Sequence, residues 1–344
     1  MPLLLPEPEI LQADAVPALR WGVIGTGIAD RFVGAIHAHT AQRAVAVTAR
    51  DAERTAAFAQ RHGVPRVLPS VEALVTDPGV DAVYVSTPHP LHREQALAAI
   101  AAGKHVLVEK PIAMSAAEAE EITAAGRAAG VLVMEAMWTR YLPQSSILRQ
   151  VVADGLIGEL RTVIADFGFV APEDRAHRLW APELGGGALL DAGVYPISFA
   201  SSVIGPLSLV AATGTAENGV DSSAALLAAG RDGTSALLGT SLVAALPVEA
   251  QVVGSEGRAR LFSPFFGPTG IAVTRGGFDS DETAEWRDRA FDALHDGLAH
   301  EATAFAAYVA EGRLESPLHP HAEVVQVMRV IDDARAAVLQ PAQR

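Results

Sequence analysis

The sequence predicts an α/β protein in two parts, an N-terminal parallel doubly wound sheet and a C-terminal α+β domain with a largely antiparallel open sheet. Three observations predict it. Up to about residue 140, apolar runs of strand length alternate with helix-length amphipathic stretches, the pattern of parallel strands joined by right-handed crossovers. Beyond that point, apolar runs follow one another across brief polar turns such as Arg231-Asp232-Gly233, which suits antiparallel pairing. At 344 residues the chain also exceeds the roughly 250 to 300 residues at which one hydrophobic core stops growing. The expected division is a tail or arm over 1–18, a first domain over 19–140 and a second, for substrate binding and oligomerisation, over 141–344.

The first expected strand covers 19–24, and its apolar run meets Gly25 and Gly27 before Ala29, Phe32, Val33 and Ile36 recur at helical spacing. Strand 45–49 precedes a helix through Ala56, Phe58 and Ala59. The alternation continues with strand 82–86, helix 92–102, strand 105–108, helix 116–129 and strand 131–135. In the second part a helix near 145–154 leads into a strand at 162–170, with further strands at 224–229, 235–243 and 249–253 and closing helices at 297–310 and 322–338. The proline-bearing segment before residue 19 has no period and reads as a mobile tail or an arm packing on a partner subunit.

Composition narrows the function classes. Lys and Arg total 26 against 40 Asp and Glu, a net charge of −14, which repels phosphate backbones and anionic lipid. Neither a nucleic acid nor a membrane is therefore an expected partner. The absence of cysteine excludes disulfides, thiolate zinc sites, iron–sulfur clusters and a cysteine nucleophile. No uninterrupted apolar stretch of bilayer-spanning length is read, and the opening residues lack the basic region and apolar core of a signal peptide. Cytoplasmic residence is the expectation.

Gly25-Thr26-Gly27 lies where the first strand hands over to a helix, so backbone amides and the positive helix end can face a pyrophosphate without a Cβ in the way. Asp30 stands where the dinucleotide-binding fingerprint has its third glycine. The second strand closes on Ala49 and Arg50, with no acid to hold the ribose hydroxyls of NAD. Arg50 and Arg54, one helical turn apart, can instead clamp a 2′-phosphate, which favours NADP with NAD as the alternative; they also read as two solvated arginines beside Asp51 and Glu53. Glu109-Lys110-Pro111 ends the fourth strand at the edge that lines the ligand crevice of an open parallel sheet. Pro111 stiffens the backbone just beyond Lys110.

A second cluster runs from Gly185 to Pro196. If 189–204 is helical, Asp191 and Tyr195 share one face. A tyrosine near a lysine can accept a proton from an alcohol as hydride leaves the same carbon, while the bland reading is a glycine-rich entry into a core helix. His89 and His92, three apart with no third ligand in view, read as contacts at a helix start, and no metal is expected.

The segments GTGIADRF, STPHPLHREQA, VEKPIAMS, EAMWTRYLP, ELGGGALLDAGVYPI and ESPLHP, in this order over 21 to about 320, resemble the Gfo/Idh/MocA family of NAD(P)-dependent sugar and polyol dehydrogenases. EAMWTRYLP with a tyrosine at 195, where many members carry histidine, is similar to the branch holding dimeric dihydrodiol dehydrogenase and NADP-dependent aldose dehydrogenases. The resemblance implies a Rossmann domain whose Gly25, Thr26, Gly27 and Ile28 hold the pyrophosphate, and whose Thr87, Pro88, His89, Glu109 and Lys110 line the nicotinamide. It implies Lys110 at the reacting hydroxyl, Tyr195 as the acid–base group and Asp191 assisting, with Trp138 and Phe167 walling the substrate pocket. Arg178 and Trp180 would touch cofactor or substrate, and the second sheet would form a homodimer or homotetramer. Position 89 is often asparagine in the family, so His89 is a departure, as is Asp30.

The implied reaction is hydride transfer between NADP and a secondary alcohol of a sugar, polyol or cyclic diol. Two rivals stand beside it, an enzyme that retains its nucleotide and cleaves a glycosidic bond through transient oxidation, and an NADP-binding sensor without catalysis. The joint presence of Lys110, Asp191 and Tyr195 weighs against the sensor.

Overall fold

A computed structural model describes residues 3–276, 281–291 and 293–340. The outermost ends of the expected tail and of the second domain lie outside these residues. The chain divides into two compact units, a parallel-sheet unit of residues 11–141 and 291–324, and an antiparallel-sheet unit of 1–10, 142–290 and 325–344. Both departures from the simple expected division have a physical cause, given below.

In the parallel-sheet unit the chain runs β1 (Arg20–Ile24), α1 (Ala29–His39), β2 (Arg43–Thr48), α2 (Ala52–His62), β3 (Arg66–Val67), α3 (Val71–Val75), β4 (Ala82–Val85), α4 (His92–Ala101), β5 (His105–Glu109), α5 (Ala116–Ala129) and β6 (Val133–Ala136). The strands pair in the order β3-β2-β1-β4-β5-β6, every neighbour parallel. Helices cover both faces of such a sheet, so β4 and β6 are buried at every position. Asp51, Ser70 and Ser115 each accept a bond from a backbone N–H three residues on, which starts α2, α3 and α5. The two-residue β3 and one-turn α3 are too short to leave a periodic signal.

Trp21 of β1 anchors the core, its ring 5.4 Å from Phe32 and 4.8 Å from Phe305. Phe32 in turn stacks on Tyr84 of β4 at 4.0 Å. Phe305 explains why a late segment joins this unit, since burying it draws in its helix. The edge strand β6 recruits the same segment through Val133 N–H to Leu314 O at 3.1 Å. Tyr141 Oη bonds Ser316 Oγ at 2.8 Å, and Arg140 pairs with Glu323 at 2.7 Å.

In the antiparallel-sheet unit, α6 (Pro143–Ala153) precedes β7 (Leu160–Gly168), and α7 (Val194–Ile204) follows a long connection. Then come β8 (Ser208–Glu217), β9 (Val220–Ala229), β10 (Ser235–Ser241), β11 (Ala250–Gly254), β12 (Gly257–Leu261), β13 (Gly270–Gly276) and β14 (Asp281–Arg287). Helix α8 (Leu298–Ala310) carries Phe305 in the other unit, and α9 (His321–Leu339) closes the chain. The sheet order is β14-β13-β12-β11-β7-β10-β9-β8, antiparallel throughout except that β7 and β10 run parallel.

Residues on one face of this sheet, such as Val163, Ala165, Leu226, Ala228, Ala236 and Leu238, are buried, and α7 packs on β7 and β10. On the other face Leu227, Leu237 and Ile164 stand in one cross-strand row and are 37%, 48% and 41% exposed. The opening segment packs on this unit of its own chain instead of standing free. Leu3 N–H donates to Glu282 at 2.6 Å, Glu9 N–H to Ser146 Oγ at 2.9 Å, and Gln150 Nε2 to the Glu7 carbonyl at 2.9 Å. Among the described residues one run, Pro182–Ile204, is long and apolar enough by length and composition to cross a bilayer, although Glu183 and Asp191 interrupt its apolar residues. Most of it is buried in the fold, where apolarity serves packing.

Candidate active site

The carboxyl edge of the parallel sheet gathers the first group of candidate residues. Ile24 pairs with Thr48 on one side and Val85 on the other, and Val85 pairs with Val108. Gly25, Arg50, Thr87 and Lys110 therefore all leave the sheet at the same edge. Gly25 has φ 102°, and a Cβ there would lie 2.8 Å from the Ser86 carbonyl, so only glycine lets the two exit turns press together. At Gly27 a Cβ would meet nothing within 4 Å, and the turn faces open space. Ile28 makes no side-chain cap at the start of α1, and the Asp30 and Arg31 N–H groups turn back to the Gly27 and Ile28 carbonyls at 3.1 and 2.9 Å, so the positive end of the helix opens at the glycine turn.

Arg50 and Arg54 are exposed at the start of α2, beside Asp51, whose side chain accepts the Arg54 N–H at 3.0 Å. Glycine without a neighbour, an uncapped helix start and two exposed guanidinium groups on one edge fit a dinucleotide with a ribose phosphate. Asp30 bonds Arg61 and lies 2.9 Å from His62 Nε2. The bond from His62, with Arg61 adding, holds the Asp30 carboxyl below its usual range. An ion pair thus joins α1 to α2 across the position where the fingerprint has glycine.

Thr26 and Pro88 lie in the same two turns as Gly25 and Thr87. His89 is buried in a 3₁₀ turn, its ring centroid 5.6 Å from that of His92. Glu109 is turned inward, accepting the Tyr84 hydroxyl at Oε1 and the Lys110 N–H at Oε2, 3.2 Å away. These two bonds anchor the end of β5 just before Lys110. Lys110 is half-buried and precedes a cis peptide to Pro111. Glu135 accepts the Ile112 N–H at 2.8 Å, and burial pushes its carboxyl up to about 7. Trp138 stacks on His295 with centroids 6.1 Å apart and planes 7° from parallel.

The second group lies in the antiparallel-sheet unit. Asp191 sits in a π-helical turn, Leu189–Gly193, and Tyr195 is the second residue of α7. The expected regular helix over 189–204 is thus widened at its start, a feature common at functional sites. Asp221 of β9 accepts the Leu189 N–H at 2.6 Å, and burial pushes its carboxyl up to about 6. Gly187, φ 118°, is glycine because a Cβ would collide with that carboxylate. From β10, Thr240 Oγ1 donates to the Ala188 carbonyl at 3.1 Å. Two strands therefore pin the start of the helix that carries Asp191 and Tyr195.

Arg178 pairs with Asp191 at 3.0 Å. The Tyr195 ring centroid is 5.4 Å from Phe167 and 5.3 Å from Phe266, and those two phenylalanines stack at 4.6 Å. Trp180 is buried in the antiparallel-sheet unit. Its ring lies in a hydrophobic cluster with Ala171, Leu179, Ala188, Val220 and Leu242, and its Nε1–H donates to the Pro172 carbonyl at 2.7 Å. Phe266, His295 and Asp221 were missed from sequence. Asp221 lies on a strand, Phe266 in a turn and His295 in a short 3₁₀ helix, each brought to its partner by the tertiary fold, where no periodicity marks it.

A parallel sheet whose carboxyl edge offers a glycine turn, arginines and a lysine, with a tyrosine–aspartate helix in the second unit, defines an NAD(P)-dependent oxidoreductase. Residues 19–137 match the model of the oxidoreductase family with an NAD-binding Rossmann fold, and 146–260 match the GFO/IDH/MocA C-terminal domain. The chain belongs to the Gfo/Idh/MocA family. It is 33% identical over 333 residues to a trans-1,2-dihydrobenzene-1,2-diol dehydrogenase of Xenopus tropicalis, covering 92% of this chain and 97% of that one. The 3-ketoreductase KijD10 of Actinomadura kijaniata, solved with NADP and TDP-benzene, is 31% identical with a TM-score of 0.83, covering 94% and 98%. A levoglucosan dehydrogenase solved with NADH and levoglucosan shares the fold at a TM-score of 0.85 and 20% identity, covering 93% and 97%. The chain is thus an NAD(P)-dependent oxidoreductase acting on CH–OH groups.

The two glycines predict opposite phenotypes. Gly25→Ala, forced into a left-handed backbone against Ser86, should lower stability by about 1–3 kcal/mol in denaturant unfolding. Gly27→Val should melt as the wild type, because a side chain there meets no protein atom, yet bind NADPH at least about tenfold more weakly in a fluorescence titration if the pyrophosphate sits on this turn. Tight NADPH binding by Gly27→Val would remove this turn from the nucleotide site.

Proposed function

We propose that the protein is an NADP-preferring dehydrogenase or reductase of sugars, polyols or cyclic diols, with Tyr195 as acid–base group. The aromatic setting of Tyr195 carries the reading, since stacked Phe167 and Phe266 beside a phenol suit the apolar faces of a ring whose hydroxyl reacts. Bound NADP supplies the hydride acceptor. As hydride leaves the carbinol carbon, Tyr195 takes the hydroxyl proton, and the Lys110 ammonium offsets negative charge developing on that oxygen. Asp191, held by Arg178, orients the start of the tyrosine helix. Trp138, ordered by its stack on His295, adds a further apolar wall for the substrate.

Tyr195→Phe should lower turnover by a factor on the order of 10² to 10⁴ while NADPH still binds. A panel of trans-diols, aldoses, inositols and anhydrosugars, followed by NADPH absorbance, supplies the substrate for that assay. Unchanged turnover in the variant would exclude the phenol from the chemistry. Arg50 and Arg54 account for the choice of nucleotide. Arg50→Ala should raise the dissociation constant for NADPH by about tenfold or more while leaving that for NADH nearly constant, as expected for a lost charge-assisted bond. Equal losses for both nucleotides would contradict the clamp.

The exposed row of Leu227, Leu237 and Ile164 supports a homo-oligomer formed through the outer face of the antiparallel sheet. A charge placed in the middle of that row should dissociate it. Leu237→Glu is expected to sediment as a smaller species than the wild type, and an unaltered sedimentation coefficient would place the interface elsewhere.

A further inference from the structure

The last ladder pair between β4 and β5 is Val85 with Val108. Beyond it the two chains leave the sheet, so backbone pairing does not fix the Thr87 turn relative to the Lys110–Pro111 turn. A buried side chain spans the gap. His92, the first residue of α4 and fully buried, has Nε2 at 2.8 Å from the Thr87 carbonyl and Nδ1 at 2.9 Å from the Pro111 carbonyl. Both nitrogens are thereby directed at backbone oxygens.

A neutral imidazole donates through one nitrogen only, and the imidazolium donates through both. Burial lowers the affinity of His92 for the second proton, the two carbonyls oppose that fall, and the nearby Lys110 charge adds to it. The ring of His89 is the other titratable neighbour, edge to face with His92. Thr87 is further steadied by its Oγ1, which donates to Gln95 Oε1 at 2.7 Å one turn along the same helix. The start of α4 thus holds one turn directly and reaches the other through a single ring.

We propose that His92 is a positioning residue that sets the cofactor-side Thr87 turn against the Lys110–Pro111 turn, its ring donating to one of the two carbonyls and filling the gap to the other. The inference rests on the reading of Lys110 as the group that supports the reacting oxygen. Each arm of the clamp can be removed separately, because asparagine keeps a donor at the place of Nδ1 and glutamine keeps one at the place of Nε2.

The test compares His92→Asn, His92→Gln and His92→Ala, each checked for wild-type circular dichroism, with Lys110→Met measured in parallel. NADPH affinity is read by nicotinamide fluorescence, which needs no substrate, and kcat and KM for NADP are read with trans-1,2-dihydrobenzene-1,2-diol. His92→Asn, which frees the Thr87 turn, should weaken NADPH binding by about tenfold, the worth of one hydrogen bond, and raise KM for NADP more than it lowers kcat. His92→Gln, which frees the Pro111 turn, should lower kcat by about tenfold with a smaller change in NADPH affinity. His92→Ala should combine both losses. Asparagine and glutamine variants that behave alike, or a folded His92→Ala within twofold of wild type in both readouts, would overturn the clamp. Wild-type turnover by Lys110→Met would instead refute the role given to Lys110, and the NADPH titration of His92→Asn would still judge the Thr87 arm.

Discussion

The parallel register of β1 with β2 and β4 is the constraint on which the nucleotide side of the molecule depends. Side-by-side strands of one direction deliver every exit turn to one edge, and the turns can be short only if the strands end level. Ile24, Thr48 and Val85 end level. The core sets that alignment, because Trp21, Phe32, Tyr84 and Phe305 form one chain of aromatic contacts through β1, α1, β4 and α8. Tyr84 joins this packing to the site, as its ring stacks in the core while its hydroxyl bonds Glu109, the residue before Lys110.

In the antiparallel-sheet unit the corresponding constraint is a buried carboxylate. Asp221 holds the Leu189 amide and approaches Arg335 at 3.8 Å, and its burial raises its pKa to about 6. Removing a carboxylate from water is unfavourable unless bonds replace hydration. Those bonds here go to the first turn of the segment that carries Asp191 and Tyr195. Glycine at 187 is the steric condition for the approach. The same logic applies to Glu135, buried and bonded to the Ile112 amide just past the Lys110–Pro111 turn.

How much of this was legible in the sequence follows from the range of the interactions. Five of the six strands of the parallel sheet were readable because each βα unit is local, all but the two-residue β3, and the glycine turn and Lys110 fall at strand ends that hydrophobic period alone locates. The second sheet was readable only in part. β8 is largely exposed and rich in Ala, Ser and Thr, and β12 and β13 are short strands flanked by glycine, so none offered a strong alternation. The place of Phe305, the inward turn of Glu109 and the core position of Trp180 depend on contacts between residues distant in the chain. Phe266 stacks on Phe167 across about a hundred residues, and the paired phenylalanines at 265 and 266 were its only trace in sequence. Motif resemblance reached Tyr195, Asp191 and Arg178 where periodicity could not.

The convergence of exit turns at one edge is open to a direct measurement. Amide hydrogen exchange followed by mass spectrometry, with and without saturating NADPH, should slow together in peptides spanning 25–30, 86–92 and 109–113. Turns at the opposite edge of the same sheet, 76–81, 102–104 and 130–132, should exchange at the same rate in both conditions. Protection at the opposite edge, or at only one of the three carboxyl-edge turns, would contradict a single nucleotide site built by strand register.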